Sequence, residues 1–301
     1  MDKIGVVTVT FNSEDVIDEF LASILSQTYQ EFALYVIDNA SKDKTLNKIQ
    51  HYLDPRIVVI KNETNLGIAK GNNQGVQLAL EDGCNYVMLL NNDTVFEEDM
   101  FSQLVEVIIE KKCSITTPKM MYYSQPDTIW YAGGFFYKRN GYIAHHRGLD
   151  EKDLGQYDFI SKVDYAPTCC TLIKKEVFED IGLMDEKYFV YSDDTDFFYR
   201  IWMDGRHTML YVPHVRLYHK VGGLTKSKRG ERNSKYQDFY LKYTTMNNIY
   251  YLKKQQSLFS RFFIFYYYLK MPLSFLMTGR YKRNFKTFWL LQKSFFKGLL
   301  Q

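Results

Sequence analysis

Between residues 4 and 90 the chain alternates four apolar runs with three segments of helical period, and this alternation constrains the fold more than any other feature. IGVVTVT (4–10), FALYVID (32–38), RIVVIK (56–61) and YVMLL (86–90) are short, β-branched or aromatic runs bounded by polar residues, as buried strands are. Between them, the segment from Glu14 to Gln27 carries Val16, Ile17, Phe20, Leu21, Ile24 and Leu25 at helical spacing. SKDKTLNKIQHYL reads as a capped helix beginning near Ser41, and a third helix is expected over Ala69 to Glu81. Strands that alternate with helices form a parallel sheet covered on both faces, and such sheets collect ligands at the carboxyl ends of their strands.

The strand ends carry the polar residues. Thr10, Phe11, Asn12 and Glu14 follow the first strand, Asp38 and Asn39 the second, and Asn91, Asn92 and Asp93 the fourth. Asn and Asp are poor strand formers, so three in a row after VMLL are either turn and cap chemistry or a ligand-holding mouth. NLGIAKGNNQG, residues 65–75, falls on the same side, and its glycines and backbone amides suit an approaching phosphate. It matches neither GxxxxGK[ST] nor GxGxxG. Past residue 110 the alternation weakens. ITTPKM, IWYAGGFFY and DYAPTCCTLI read as strands, KKEVFEDIG as a short helix, DDTDFFYRIWMDG as a longer one, and HTMLYVPHVRLYHKVGG as a strand with a polar exit.

Four cysteines, Cys84, Cys113, Cys169 and Cys170, include no CxxC pair and no zinc spacing, which points to reduced, buried thiols in a cytosolic protein. The apolar run at the start is too short for a signal peptide or a membrane span.

The motifs VTVTFNSE, VIDNASKDKT, NLGIAKGNNQG, LLNNDT, EDIGLMDEKYFVYSDDTDFFYR and LYHKVGG, in this order over residues 4–225, resemble glycosyltransferase family 2. The pattern is most similar to its bacterial rhamnosyltransferase and galactofuranosyltransferase-like branch, which builds cell-surface polysaccharide such as capsule and cell wall. The resemblance implies an α/β fold of the GT-A type, a Rossmann-like, mixed, mostly parallel sheet flanked by helices, over 1–225. It also implies an inverting, metal-dependent hexosyl transfer from a dTDP- or UDP-sugar to a glycan or lipid-linked acceptor. Asp93 is then the carboxylate of the metal motif, written here Asn91-Asn92-Asp93, and His219 a second ligand of a divalent ion, Mg or Mn. Asp194 is the base, supported by Asp193 and Asp196. Thr10, Phe11, Asn12, Glu14, Asp38, Asn39, Asn65, Gly67, Lys70, Asn72, Asn73, Asn91 and Asn92 surround the nucleotide. Trp130, Tyr131, Gly133, Gly134 and Thr168 lie where relatives meet donor sugar and acceptor, although Trp130 and Tyr131 read equally as aromatic packing. The Asn-for-Asp departures keep a sugar-nucleotide-binding scaffold without catalysis open as a rival, and a sugar-phosphate nucleotidyltransferase is the other.

Residues 226–301 read as a separate helical extension. From Tyr251 to Gln301 there are ten basic residues and no acidic one, which leaves 28 basic against 35 acidic residues in 1–250, a net of −7. Interleaved with many of the chain's 25 Tyr and 22 Phe, this charge suits a peripheral seat on the inner face of the cell membrane. A packing or homodimer element is the alternative. No nucleic-acid recognition motif accompanies the charge.

Overall fold

The computed structural model of the chain describes residues 2–220, 234–277 and 285–301, with the backbone alone over 234–236 and 271–277. The domain boundary expected near residue 225 lies outside the described residues, as do Arg280, Lys282 and Arg283.

The first half follows the alternation closely: β1 (Ile4–Thr10), α1 (Ile17–Leu25), β2 (Phe32–Asp38), α2 (Thr45–Gln50), β3 (Ile57–Lys61), α3 (Ile68–Glu81) and β4 (Tyr86–Leu90). These strands pair in parallel, in the order β4-β1-β2-β3, and the register sets Thr10 beside Asp38. Two expectations shift here for local reasons. The second helix starts at Thr45 rather than near Ser41, because the Ser41 N–H donates to Asp38 and the Lys42 N–H to Asn12. Residues 41–44 are thus bonded to the neighbouring strand ends instead of to a helical turn. The glycine-bearing segment is mostly helix, since Gly71 and Gly75 lie within α3. A Cβ at Gly75 would come to 2.3 Å from the Val7 side chain and one at Gly71 to 2.9 Å from Val9. Those glycines seat α3 on β1.

The second half mixes directions: β5 (Thr94–Phe96), α4 (Met100–Lys111), β6 (Ile115–Tyr122), β7 (Gln125–Tyr131), β8 (Gly134–Phe136), β9 (Ala144–His146), β10 (Ser161–Val163), β11 (Cys170–Lys174), α5 (Lys175–Ile181), α6 (Asp193–Asp204) and β12 (Met209–His219). Strand β11 enters antiparallel between β4 and β6, while β12 runs parallel to β6 and carries β10 and β5 on its far side. IWYAGGFFY, expected as one strand, breaks at Gly133, whose φ of +111° turns the chain out of β7 into β8. Of DYAPTCCTLI only the last four residues are strand, the start of β11. Pro167 has no N–H to give a ladder, and the N–H groups of Asp164 and Tyr165 both donate to Gly134 instead.

The core runs through the sheet and under α1, α3 and α4, with Ile4, Val7, Phe20, Leu34, Val87, Leu104 and Ile115 fully enclosed. The four cysteines are buried and unpaired. Three helices close the chain: α7 (Ser234–Lys254), α8 (Leu258–Met277) and α9 (Phe285–Leu300). Tyr250 and Tyr251 of α7 join the core of the sheet domain, so this helix is built into it.

Candidate active site

The candidate residues form two clusters, one at strand ends and one where α6 opens. At the first, the Thr10 hydroxyl donates to Asp38 Oδ1 at 2.9 Å and the Ser41 N–H to Asp38 Oδ2 at 3.0 Å, which fixes a carboxylate that is 1% exposed. The loop after β1 is bonded to the loop after β2: Asn12 N–H donates to Ser41 Oγ and Glu14 N–H to Asp43, while Glu14 Oε2 accepts from the Lys44 N–H. Phe11 stands out of this loop, 43% exposed. Asn39 donates to the Gly67 carbonyl, and Asn65 accepts from the Gly67 N–H, so these three expected residues are bonded to one another.

Three others from the expected set hold a neighbouring segment. Asn73 donates to the Met184 carbonyl and accepts from its N–H, Asn72 reaches Met184 Sδ at 3.8 Å, and Lys70 lies 3.5 Å from Glu186. They tie the start of α3 to residues 184–186, and the Ile68 N–H to Phe189 carbonyl bond continues the seam.

At the end of β4 the Asn91 N–H donates to the Cys169 carbonyl and the Asn92 amide to the Val9 carbonyl, 2.7 Å away, leaving Asp93 to face β12. There the Asp93 carboxylate lies 3.3 Å from His219 Nε2, both residues being 8% exposed. His219 Nδ1 is buried with no hydrogen-bond partner among the described residues. The Asp93 carboxylate oxygen and the His219 Nε2 at that separation are suitable donors for one divalent cation. Among the described residues no third His, Cys, Asp or Glu joins them. The remaining ligands of such an ion would come from substrate and water.

The second cluster begins where α6 opens. Asp193, Asp194 and Asp196 occupy its first turn, and Ser192 precedes them with φ +63°. Asp194 is half-buried. Its Oδ2 accepts from the Tyr165 hydroxyl at 2.7 Å and its Oδ1 from the Thr195 N–H at 2.6 Å. Burial raises its proton affinity above the ordinary carboxylate range, against the lowering effect of those two hydrogen bonds and of nearby His146. Asp193 is raised as well, by its own burial and then by the adjacent Asp194 charge. Asp196 differs: Lys254 lies 2.7 Å away, Arg200 3.1 Å, and the Tyr188 hydroxyl donates to it.

An aromatic wall connects the clusters. The Trp130 ring packs edge-on against His219, with centroids 4.5 Å apart, and against His146 at 5.1 Å, and His146 packs on Tyr165 at 5.6 Å. Tyr165 then reaches Asp194. The Gly133-Gly134 pair makes this wall buildable, because a Cβ on Gly134 would lie 2.6 Å from the Tyr165 ring. Tyr131 is fully enclosed and donates to the Tyr165 carbonyl at 2.6 Å, so of its two readings it takes packing. Thr168 is buried in the loop before β11. Burial holds His146 below the usual histidine range and keeps the Tyr165 hydroxyl protonated and donating.

Tyr165 was not among the residues singled out from the sequence. Tyr165 lay inside the segment DYAPTCC, and only the neighbouring glycine pair hinted that a large ring passes there. Also missed was Asn247 of α7, which donates to the carbonyls of Val190 and Tyr191 at 2.8 Å and so braces the turn that presents Asp194.

The family model described as "Glycosyl transferase family 2" matches residues 5–182. Glycosyltransferase GlyG of Streptococcus pneumoniae serotype 4 is 24% identical over 227 residues, 74% of this chain and 72% of that protein. The dTDP-rhamnosyl transferase RfbF of Shigella flexneri is 26% identical over 221 residues, 73% of this chain and 70% of that one. Among solved structures, GalNAc-T7 with UDP, GalNAc and Mn2+ superimposes with a TM-score of 0.59 at 18% identity, over 73% of this chain and 44% of that one. The likeness is one of fold, the GT-A arrangement of a mixed sheet flanked by helices.

Proposed function

The chain belongs to glycosyltransferase family 2, and from that premise we propose that it moves a hexosyl group, with inversion, from a pyrimidine nucleoside diphosphate to a hydroxyl of a glycan or lipid-linked acceptor. The observation that carries this reading is the aromatic wall that joins the Asp93–His219 pair to Asp194. In this reading the wall runs between a leaving-group end and a proton-accepting end, the two functions that a displacement at an anomeric carbon needs.

In this reading Asp194 takes the proton of the attacking acceptor hydroxyl. Its raised proton affinity suits it for that task, since a base close to working pH is the more effective one. Tyr165 and the Thr195 N–H hold the carboxylate in one orientation and leave lone pairs for the acceptor. Asp93 and His219 would hold a divalent ion, Mg or Mn, which when bound offsets the charge that grows on the departing diphosphate. Asp38, fixed by Thr10 and Ser41, and the residues around Asn39 and Asn65 receive the nucleotide. The name of the Shigella relative, a dTDP-rhamnosyl transferase, supports a dTDP-linked donor.

A radiolabelled panel of dTDP- and UDP-sugars, with and without Mg or Mn, tests the proposal. Expected is metal-dependent donor hydrolysis in the absence of acceptor, and His219→Ala should weaken metal-dependent nucleotide binding by roughly 10- to 100-fold. A chain that binds a donor yet neither transfers nor hydrolyses it is the sugar-nucleotide-binding scaffold instead. Unchanged metal dependence in His219→Ala would remove that residue from the ligand set.

A further inference from the structure

The C-terminal helices carry more apolar surface than their packing covers. On α9, Thr287, Leu291, Ser294, Phe295 and Gly298 face inward. A Cβ on Gly298 would come to 2.3 Å from the Met246 carbonyl, so the helix is already seated closely on α7. The opposite face is apolar too: Trp289 is 67% exposed, Phe296 50% and Leu300 86%. A surface helix ordinarily has one apolar stripe and buries it. Helix α8 repeats the excess, with Leu258, Phe262, Phe265 and Leu269 exposed at spacings of four, three and four residues, which is a single helical face. The two stripes approach each other where Tyr268 touches Phe296, with ring centroids 6.5 Å apart.

Charge selects what covers this surface. Arg261 and Lys270 of α8 and Lys293 and Lys297 of α9 are exposed beside the stripes, and residues 251–301 contain no acidic side chain. A second copy seated on the same face would bring like charges together. A nucleic acid would leave Leu258, Leu269 and Leu300 without a use. An anionic lipid surface accepts both components, with the basic groups at the headgroups and the aromatic and aliphatic groups at the acyl boundary. No helix among the described residues is long and apolar enough to cross a bilayer. We propose that the outer faces of α8 and α9 form one peripheral docking surface for an anionic membrane. The surface is tied to the cleft, because α7, on which α9 packs, holds the turn before Asp194 through Asn247 and pairs Lys254 with Asp196.

The test is co-sedimentation of the full chain with vesicles of phosphatidylglycerol and phosphatidylcholine in equal parts, and with phosphatidylcholine alone. The wild type should pellet strongly with the mixed vesicles and weakly with the neutral ones. The triple variant Trp289→Ala, Phe296→Ala, Leu300→Ala should lose both, with a thermal melt like that of the wild type, because the three side chains are exposed. Lys293→Gln with Lys297→Gln should lower only the anionic component, by roughly fivefold per lysine. Absence of wild-type pelleting, or pelleting of the triple variant equal to the wild type, overturns the proposal. A concentration-dependent increase in size that the triple variant abolishes, without vesicle binding, assigns the face to self-association instead.

Discussion

Asp194 and Asp196 stand two residues apart in the first turn of α6 and meet opposite surroundings. Asp196, 2% exposed, is enclosed by Lys254, Arg200 and the Tyr188 hydroxyl, and two cations neutralise it. Asp194 faces the aromatic wall with hydrogen-bond donors but, among the described residues, no Lys or Arg ion pair, and its burial raises its proton affinity. The cause is the helix period: a step of two residues turns the side chain by roughly 200°, from the cleft edge to the flank where α7 packs. A cluster of acids in sequence therefore separates into one group available for proton transfer and one that ties helices together.

The largest effect is expected for Asp194→Asn, which should lower sugar transfer by roughly two to four orders of magnitude while nucleotide binding, measured by calorimetry, is retained. Near-normal turnover would break the comparison at its catalytic side, and a collapse in Asp193→Asn alone would move the role by one residue. Asp196→Asn should act in the other way. It leaves Arg200 without its carboxylate and Lys254 with Asp185 alone, and should reduce stability in urea by about 2–3 kcal/mol, short of the full cost for a buried pair because each cation's side chain is 29% exposed and Lys254 keeps a partner. If Asp196→Asn melts like the wild type and loses transfer instead, the two roles are reversed.

Smaller effects sharpen the contrast through pH. Asp194 must be ionised to accept a proton, so kcat/KM should rise with pH along a limb above the ordinary carboxylate range. Tyr165→Phe removes a hydrogen bond that favours the charged form, so this limb should move to higher pH, with a loss of roughly fivefold in rate at neutral pH. Asp193→Asn, if active, removes a neighbouring negative charge and should move the limb to lower pH. Shifts in the same direction for both variants would mean that Asp194 is not the group being titrated.

Much of the site was legible because its residues sit at strand ends that the alternation itself locates. Thr10, Asp38 and Asp93 follow from where IGVVTVT, FALYVID and YVMLL stop, and the observed strands end at Thr10, Asp38 and Leu90. Asn72 and Asn73 were legible as polar residues near the cleft but not as ties to Met184, since that bond spans 111 residues for Asn73 and no local pattern encodes it. Tyr165 was hidden for a related reason. A tyrosine between Asp164 and Ala166 looks like any strand aromatic until Gly134 is known to lie beneath it.

The sequence by itself determined the strand and helix order, the polar strand ends and the charge asymmetry between the sheet domain and the C-terminal helices, because periodicity and composition are local properties of the chain. Only the tertiary structure decided which acid of SDDTD meets a cation, which aromatic ring donates to Asp194, and which face of α9 stays uncovered. Each of these depends on contacts between segments far apart in sequence, where the geometry of packing, and not residue type, sets a group's electrostatic surroundings and exposure.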